Sequence, residues 1–348
     1  METIKSPFPW FGGKSRVAPI VWERFGAVGN YVEPFFGSGA VLFGRPDVNG
    51  AETVNDLDGY VANFWRAVQH DPEAVAHWAD NPSNENDLHA RHLWLVNAGR
   101  ERVARLEGDP DYYDAKTAGL WVWGMANWIG GGFCSGNGKW VAENGMLKAR
   151  EKDAGQGIQR RRLHLGDAGQ GIQRRLLHLG DAGRGIDGQC ERSSIALSEY
   201  MKTIADRMRL VRVCCGDWSR VCGPTPTFLL GPTGVFLDPP YSAEAGRDMD
   251  IYARDSGTVA HDVREWALAN GDNPLMRIAL CGYEVEHAVL DTWECVQWKA
   301  HGGYSGQGNG TRGQENAHRE RIWFSPHCFR PDSGCDDNLF SEAWEGDE

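Results

Sequence analysis

The stretch Asn30-Tyr31-Val32-Glu33-Pro34-Phe35-Phe36-Gly37-Ser38-Gly39 decides the fold. A short strand, residues 30–33, reaches a carboxylate, meets a proline with no amide hydrogen to give a sheet, and turns through glycines into a helix opening over residues 39–43. Glycine in such a turn lets the backbone take conformations, and approach ligands, that a Cβ would block. Working outward, residues 52–55 read as the next strand and 59–69 as an amphipathic helix. Further strands are expected at 211–214, 235–237, 277–281 and 321–324. Strands alternating with helical patterns give an α/β sheet with helices on both faces.

Between the two groups of strands, residues 71–140 read as helical and Trp-rich, becoming loop-like over 130–139. A 14-residue repeat follows: DAGQGIQRRRLHLG from Asp153, DAGQGIQRRLLHLG from Asp167, and a decayed third copy from Asp181. Its period is too short for helical-pair solenoids, so it reads as an insertion. Expected boundaries are a discontinuous catalytic domain at 1–70 and 196–330, a smaller module at 71–146, the repeat insertion at 147–195, and an acidic tail at 331–348.

The chain has 348 residues, 41% of them hydrophobic, enough for a sizeable core. No run approaches 18 apolar residues, so no membrane span is expected, and the first 20 residues lack the apolar core of a signal peptide. Nine cysteines, two of them adjacent at Cys214-Cys215 and none in a CxxC, indicate neither a zinc site nor a disulfide framework; no metal is expected, and a reducing cytosol fits. The net charge of −12 argues against a nucleic-acid partner until its distribution is considered. Residues 147–192 hold ten Lys or Arg against six Asp or Glu, on an otherwise acidic chain. Arg160, Arg161, Arg162, Arg174 and Arg175 could line DNA phosphates from there. The alternative is a solvated loop grown by tandem duplication. His164 and His178 recur in register, but nothing nearby completes a metal site.

Two constellations carry chemistry. The glycine turn is not GxGxxG, which disfavours a dinucleotide. Glu33 at one strand tip and Asp56 at the next suit a ligand bearing an ammonium group and ribose hydroxyls, both of which carboxylates accept, and S-adenosylmethionine has both. The other constellation is Asp238-Pro239-Pro240-Tyr241 at the end of an apolar strand. The prolines stiffen the turn and leave the Asp238 carboxylate and a proline carbonyl as acceptors facing one spot. An exocyclic amine has two hydrogens to give them, while Tyr241 could stack on an extruded base. Each motif alone is also compatible with a purely structural turn.

Taken in order, Pro9-Trp10-Phe11-Gly12-Gly13-Lys14, Val32 to Gly39, Asn55-Asp56 and Asp238-Pro239-Pro240-Tyr241 resemble the Dam-type DNA adenine-N6 methyltransferases, especially their phage members. The resemblance implies a Rossmann-like S-adenosylmethionine-dependent methyltransferase sheet with a mostly helical DNA-recognition module, acting on double-stranded DNA by base flipping. It implies that Trp10, Lys14, Glu33, Pro34, Phe35, Gly37 and Gly39 line the cofactor site, that Asp56 takes the ribose, and that Asp217 and Trp218 meet the adenine. The other reading of Gly216-Asp217-Trp218 is a helix cap. In the recognition module, Gly132-Phe133-Cys134 and the segment from Asn137 to Trp140 match, and Asn127, Ser135, Asn137 and Lys139 are the expected DNA contacts. Members that read GATC carry Arg after this Cys; here Ser135 stands there, so a different or relaxed site is expected. Cytosine N4, another exocyclic amine, is the rival substrate; a catalytically idle DNA-binding protein is the rival class.

Overall fold

The computed structural model describes residues 4–8, 10, 14–109, 111–128, 133–134, 140–143, 146–149, 189–240, 259–284, 292–298 and 319–331. Tyr241, Ser135, Asn137, Lys139, the repeat arginines and residues 332–348 lie outside the described residues.

In chain order the elements begin with α1 (Ala18–Phe25), β1 (Asn30–Glu33), α2 (Ala40–Phe43), β2 (Ala51–Asp56) and α3 (Gly59–His70). Next come α4 (Pro72–Ala79), α5 (Glu85–Trp94), a π turn (Leu95–Gly99), α6 (Arg100–Val103) and α7 (Ala115–Asn127). The hairpin β3 (Trp140–Glu143) and β4 (Met146–Ala149) precedes α8 (Gln189–Met208) and β5 (Arg212–Cys215). The chain then forms β6 (Thr233–Leu237), α9 (Val259–Asn270), β7 (Met276–Tyr283), β8 (Glu294–Gln297) and β9 (Glu320–Phe324).

Seven strands form one sheet in the order β5-β2-β1-β6-β7-β9-β8, the Rossmann-like arrangement expected. The first five run parallel, while β9 runs antiparallel to both β7 and β8. Strand alternation divides the core. Val235, Leu237, Met276, Ile278, Leu280 and Trp323 face α9, whereas Tyr31, Phe236, Ala279, Cys281, Ile322 and Phe324 face the layer that includes α1, α3 and α8. Helices α4 and α7 pack into that second core, so the helical segment after residue 70 shares apolar contact with the sheet. Buried Glu52 of β2 ties α8 down, pairing with Arg207 at 2.6 Å and with Arg45 at 2.9 Å.

The six expected strands all form: β1 as read, β5 displaced by one residue, and the other four longer by one to three residues. Two features escaped the sequence reading. Strand β8 alternates half-buried and exposed positions, Glu-Cys-Val-Gln, at the sheet edge, where no apolar run marks it. The β3–β4 hairpin pairs Trp140 with Ala149 and so crosses the boundary placed at 146, just as α8 starts at Gln189, inside the expected insertion. Among the described residues no helix is long and apolar enough to cross a membrane.

Candidate active site

Parallel strands deliver their last residues to one edge of the sheet. There, β1 is flanked by β2 on one side and β6 on the other, the switch point where open α/β sheets bind ligands. Glu33, Asp56 and Asp238 arrive at this edge from β1, β2 and β6. Because β9 is antiparallel, its first residue, Glu320, lies at the same edge, opposite Tyr283.

The glycine turn is held from both sides. The Gly37 N–H donates to Asp56 Oδ2 at 2.9 Å, and its carbonyl accepts from the buried Trp65 indole at 2.9 Å. Gly37 and Gly39 have φ of +47° and +71°, in the left-handed region that favours glycine. A Cβ on Gly37 would strike the indole of Trp10, which reaches the turn from a strap packed through Phe8 on Phe64 and Trp121. Asn55 sends its amide to the carbonyls of Pro34, at 3.1 Å, and Gly216, at 2.9 Å, binding the ends of β1 and β5 to β2.

Electrostatics at this edge are dominated by carboxyls. Glu33, 2% exposed, accepts from the Tyr31 hydroxyl at 2.8 Å. Burial, reinforced by the Asp238 charge, holds its pKa well above the usual carboxylate range. Asp56 also accepts the Asp58 N–H, at 2.8 Å, and burial, then the neighbouring Asp58 charge, raise it to about 7. Each Asp56 oxygen accepts one backbone N–H and keeps a further lone pair for a ligand hydroxyl.

Lys14 is the counterweight. Its ammonium, in a side chain 6% exposed, lies 3.1 Å from Asp238 Oδ1 and 3.8 Å from Glu320 Oε2, with the Trp298 ring centroid 5.1 Å away. Burial lowers its pKa, but Asp238 and then Glu320 outweigh that penalty and hold it above the ordinary lysine value. Below it, burial pushes the Cys281 thiol far up, which leaves it inert. The lysine thus touches the Asp238 carboxylate. Glu320, Trp298 and Cys281 were not foreseen. They join Lys14 only through the sheet, and no local pattern marks them.

Asp217 turns out to be a cap: it is exposed, and its carboxylate accepts the Ser219 N–H at 3.0 Å, starting a short 3-10 helix at Trp218. Trp218 faces Phe35 with ring centroids 6.4 Å apart and planes 28° from parallel, so the two aromatics do meet beside the turn. Asn127 spends its side chain within the protein, accepting from Ser83 and donating to the Trp123 carbonyl at 2.7 Å. Among the described residues no group of three His, Cys, Asp or Glu is arranged to hold a metal ion.

No curated protein matches the chain. From Trp10 through the glycine turn and Asp56 into the helical segment, residues 10–97 match the model of one family, and over that span the chain carries the domain described as D12 class N6 adenine-specific DNA methyltransferase.

Proposed function

We propose that this protein transfers the methyl group of S-adenosylmethionine to the N6 amine of adenine in double-stranded DNA, with Asp238 as the acceptor that orients the amine. The observation that carries this reading is the placement of Asp238 directly after β6, against buried Lys14 and beside the Glu33 and Asp56 tips. The matched family segment ends at residue 97, so Asp238 is assigned on geometry and chemistry.

The residues fit the cofactor. Two carboxyls whose pKa values are raised by burial form a site short of positive charge, which a sulfonium and an ammonium would supply. The lone pairs left on Asp56 suit ribose hydroxyls, and the Phe35–Trp218 pair suits an adenine ring. When bound, the cofactor supplies an electrophilic methyl group on a sulfonium.

Everything else falls to the chain. The Lys14 ammonium sits on Asp238 Oδ1, and the Asp238 carboxylate would accept one amine hydrogen, with the Pro239 carbonyl as acceptor for the other. These two bonds draw the nitrogen lone pair out of conjugation with the ring and aim it along the line of displacement. As the nitrogen–carbon bond formed and the methyl–sulfur bond broke to leave a neutral thioether, the amine would become cationic and give a proton to Asp238. The base must leave the duplex to reach this edge, and Tyr241 is placed in sequence to stack on it. Asp238→Ala is expected to abolish methyl transfer while S-adenosylmethionine affinity stays within several-fold. Turnover near that of the wild type would overturn the assignment.

A further inference from the structure

The segment leading to Ser135 holds the sole non-glycine residue with positive φ among those described, Cys134, at +61°. Such a conformation costs free energy and persists only where the surroundings enforce it. Here they do. The Cys134 N–H donates to His92 Nε2 at 3.4 Å, and its carbonyl accepts from the Arg100 guanidinium at 3.1 Å. The neighbouring Phe133 ring covers Gly124 of α7, where a Cβ would collide with it, and packs with Trp128 around the His92 imidazole.

Both partners come from one continuous helical rod, α5 through α6, interrupted by the π turn Leu95–Gly99. Residues eight apart on an unbroken α-helix are rotated by about 80°; a π turn absorbs one extra residue and brings them within roughly 20° of one face. The interruption therefore aligns the His92 acceptor and the Arg100 donor on the two polar groups of a single peptide residue. Tyr60 fixes the turn itself, its hydroxyl donating to the Leu95 carbonyl at 2.6 Å. Tyr60 lies in the first turn of α3, four residues after Asp56, so the rod is braced against the proposed cofactor edge.

We infer that His92, Arg100 and the π turn between them form a positioning clamp on Phe133 and Cys134, the residues that lead in sequence into Ser135, and so set sequence choice on DNA. The inference rests on the reading that Ser135 to Lys139 contact DNA. Burial and the nearby His89 lower the His92 pKa to about 4, so its ring is neutral and free to accept at neutral pH.

The test uses the full chain, unmethylated plasmid DNA and five variants. In Arg100→Ala and His92→Leu, alkylation of Cys134, followed by mass spectrometry of its peptide, is expected to accelerate about tenfold or more as the buried thiol is released. KM for plasmid DNA is expected to rise by about tenfold, with a broader set of methylated sites by sequencing, while S-adenosylmethionine affinity holds within about twofold. His92→Gln, whose side-chain carbonyl can accept the same N–H, is expected to restore site choice. Arg100 is surface-exposed, so Arg100→Ala tests the clamp even where His92→Leu fails to fold. Unchanged thiol protection overturns the clamp itself. A released thiol with unchanged DNA KM and unchanged sites overturns its role in recognition; Ser135→Ala and Lys139→Ala then separate the causes, altering site choice if the loop reads DNA and leaving it intact if it does not.

Discussion

Replacing Lys14 by methionine removes an ammonium held between Asp238 and Glu320, whose side chains are 19% and 7% exposed. Removing one partner from a buried ion pair costs about 3–5 kcal/mol because the remaining charge keeps its desolvation penalty. For a chain of this size each kcal/mol moves the melting temperature by about 2 °C, so Lys14→Met is expected to melt roughly 6–10 °C lower at pH 8. The sign of the pH dependence follows from the carboxyls left behind. Without the ammonium, burial and mutual repulsion raise their folded-state pKa values above the unfolded ones. A raised pKa means stability that is complete at low pH and lost as pH rises through the folded value. The melting deficit should therefore be largest at pH 8 and shrink toward pH 5, where protons replace the missing cation. Scanning calorimetry of both proteins at the two pH values measures it. A deficit under about 2 °C at pH 8, or one equal at both pH values, would refute the reasoning.

Three further outcomes are expected. Gly37→Ala, at φ +47° and against the Trp10 indole, should weaken S-adenosylmethionine binding by about tenfold or more in calorimetric titration; wild-type affinity would remove the turn from the site. With Asp56 titrating near 7, its ionised fraction drops about tenfold between pH 8 and pH 6, so the cofactor Kd should rise by a similar factor as pH falls; Asp56→Asn should flatten that profile, and an unaltered slope would place the titration elsewhere. Deleting residues 153–180, which carry Arg160, Arg161, Arg162, Arg174 and Arg175, should weaken DNA binding and flatten its dependence on salt, whereas an unchanged slope would mark the repeats as a solvated loop.

What could be read from the sequence was what depends on neighbours along the chain. Within Asn30–Glu33 the β-forming pair Tyr31-Val32 announces a strand, and Pro34 with the two glycines announces its end, so the turn and both carboxylate tips were placed correctly. Asp238 was legible for the same reason, as the end of a fully buried strand stiffened by prolines. Glu320 and Trp298 were not, because their relation to Lys14 exists only after β9 folds antiparallel against β7 and β8 follows it in the direction of the parallel strands, carrying residues 320 and 298 to the carboxyl edge. Asp217 shows the converse: Asp-Trp-Ser before a short helix is a capping pattern wherever it occurs, and the carboxylate is in fact used as a cap. The clamp on Cys134 was hidden as well, since a π turn leaves no pattern in side-chain type.

The central claim is methyl transfer to adenine N6 at Asp238, and its most direct test is to incubate the protein and its Asp238→Ala variant with labelled S-adenosylmethionine and unmethylated DNA, then digest the DNA to nucleosides. The account predicts label in N6-methyladenosine with the wild type and none with the variant. Label in N4-methylcytosine, or equal label from both proteins, would contradict it.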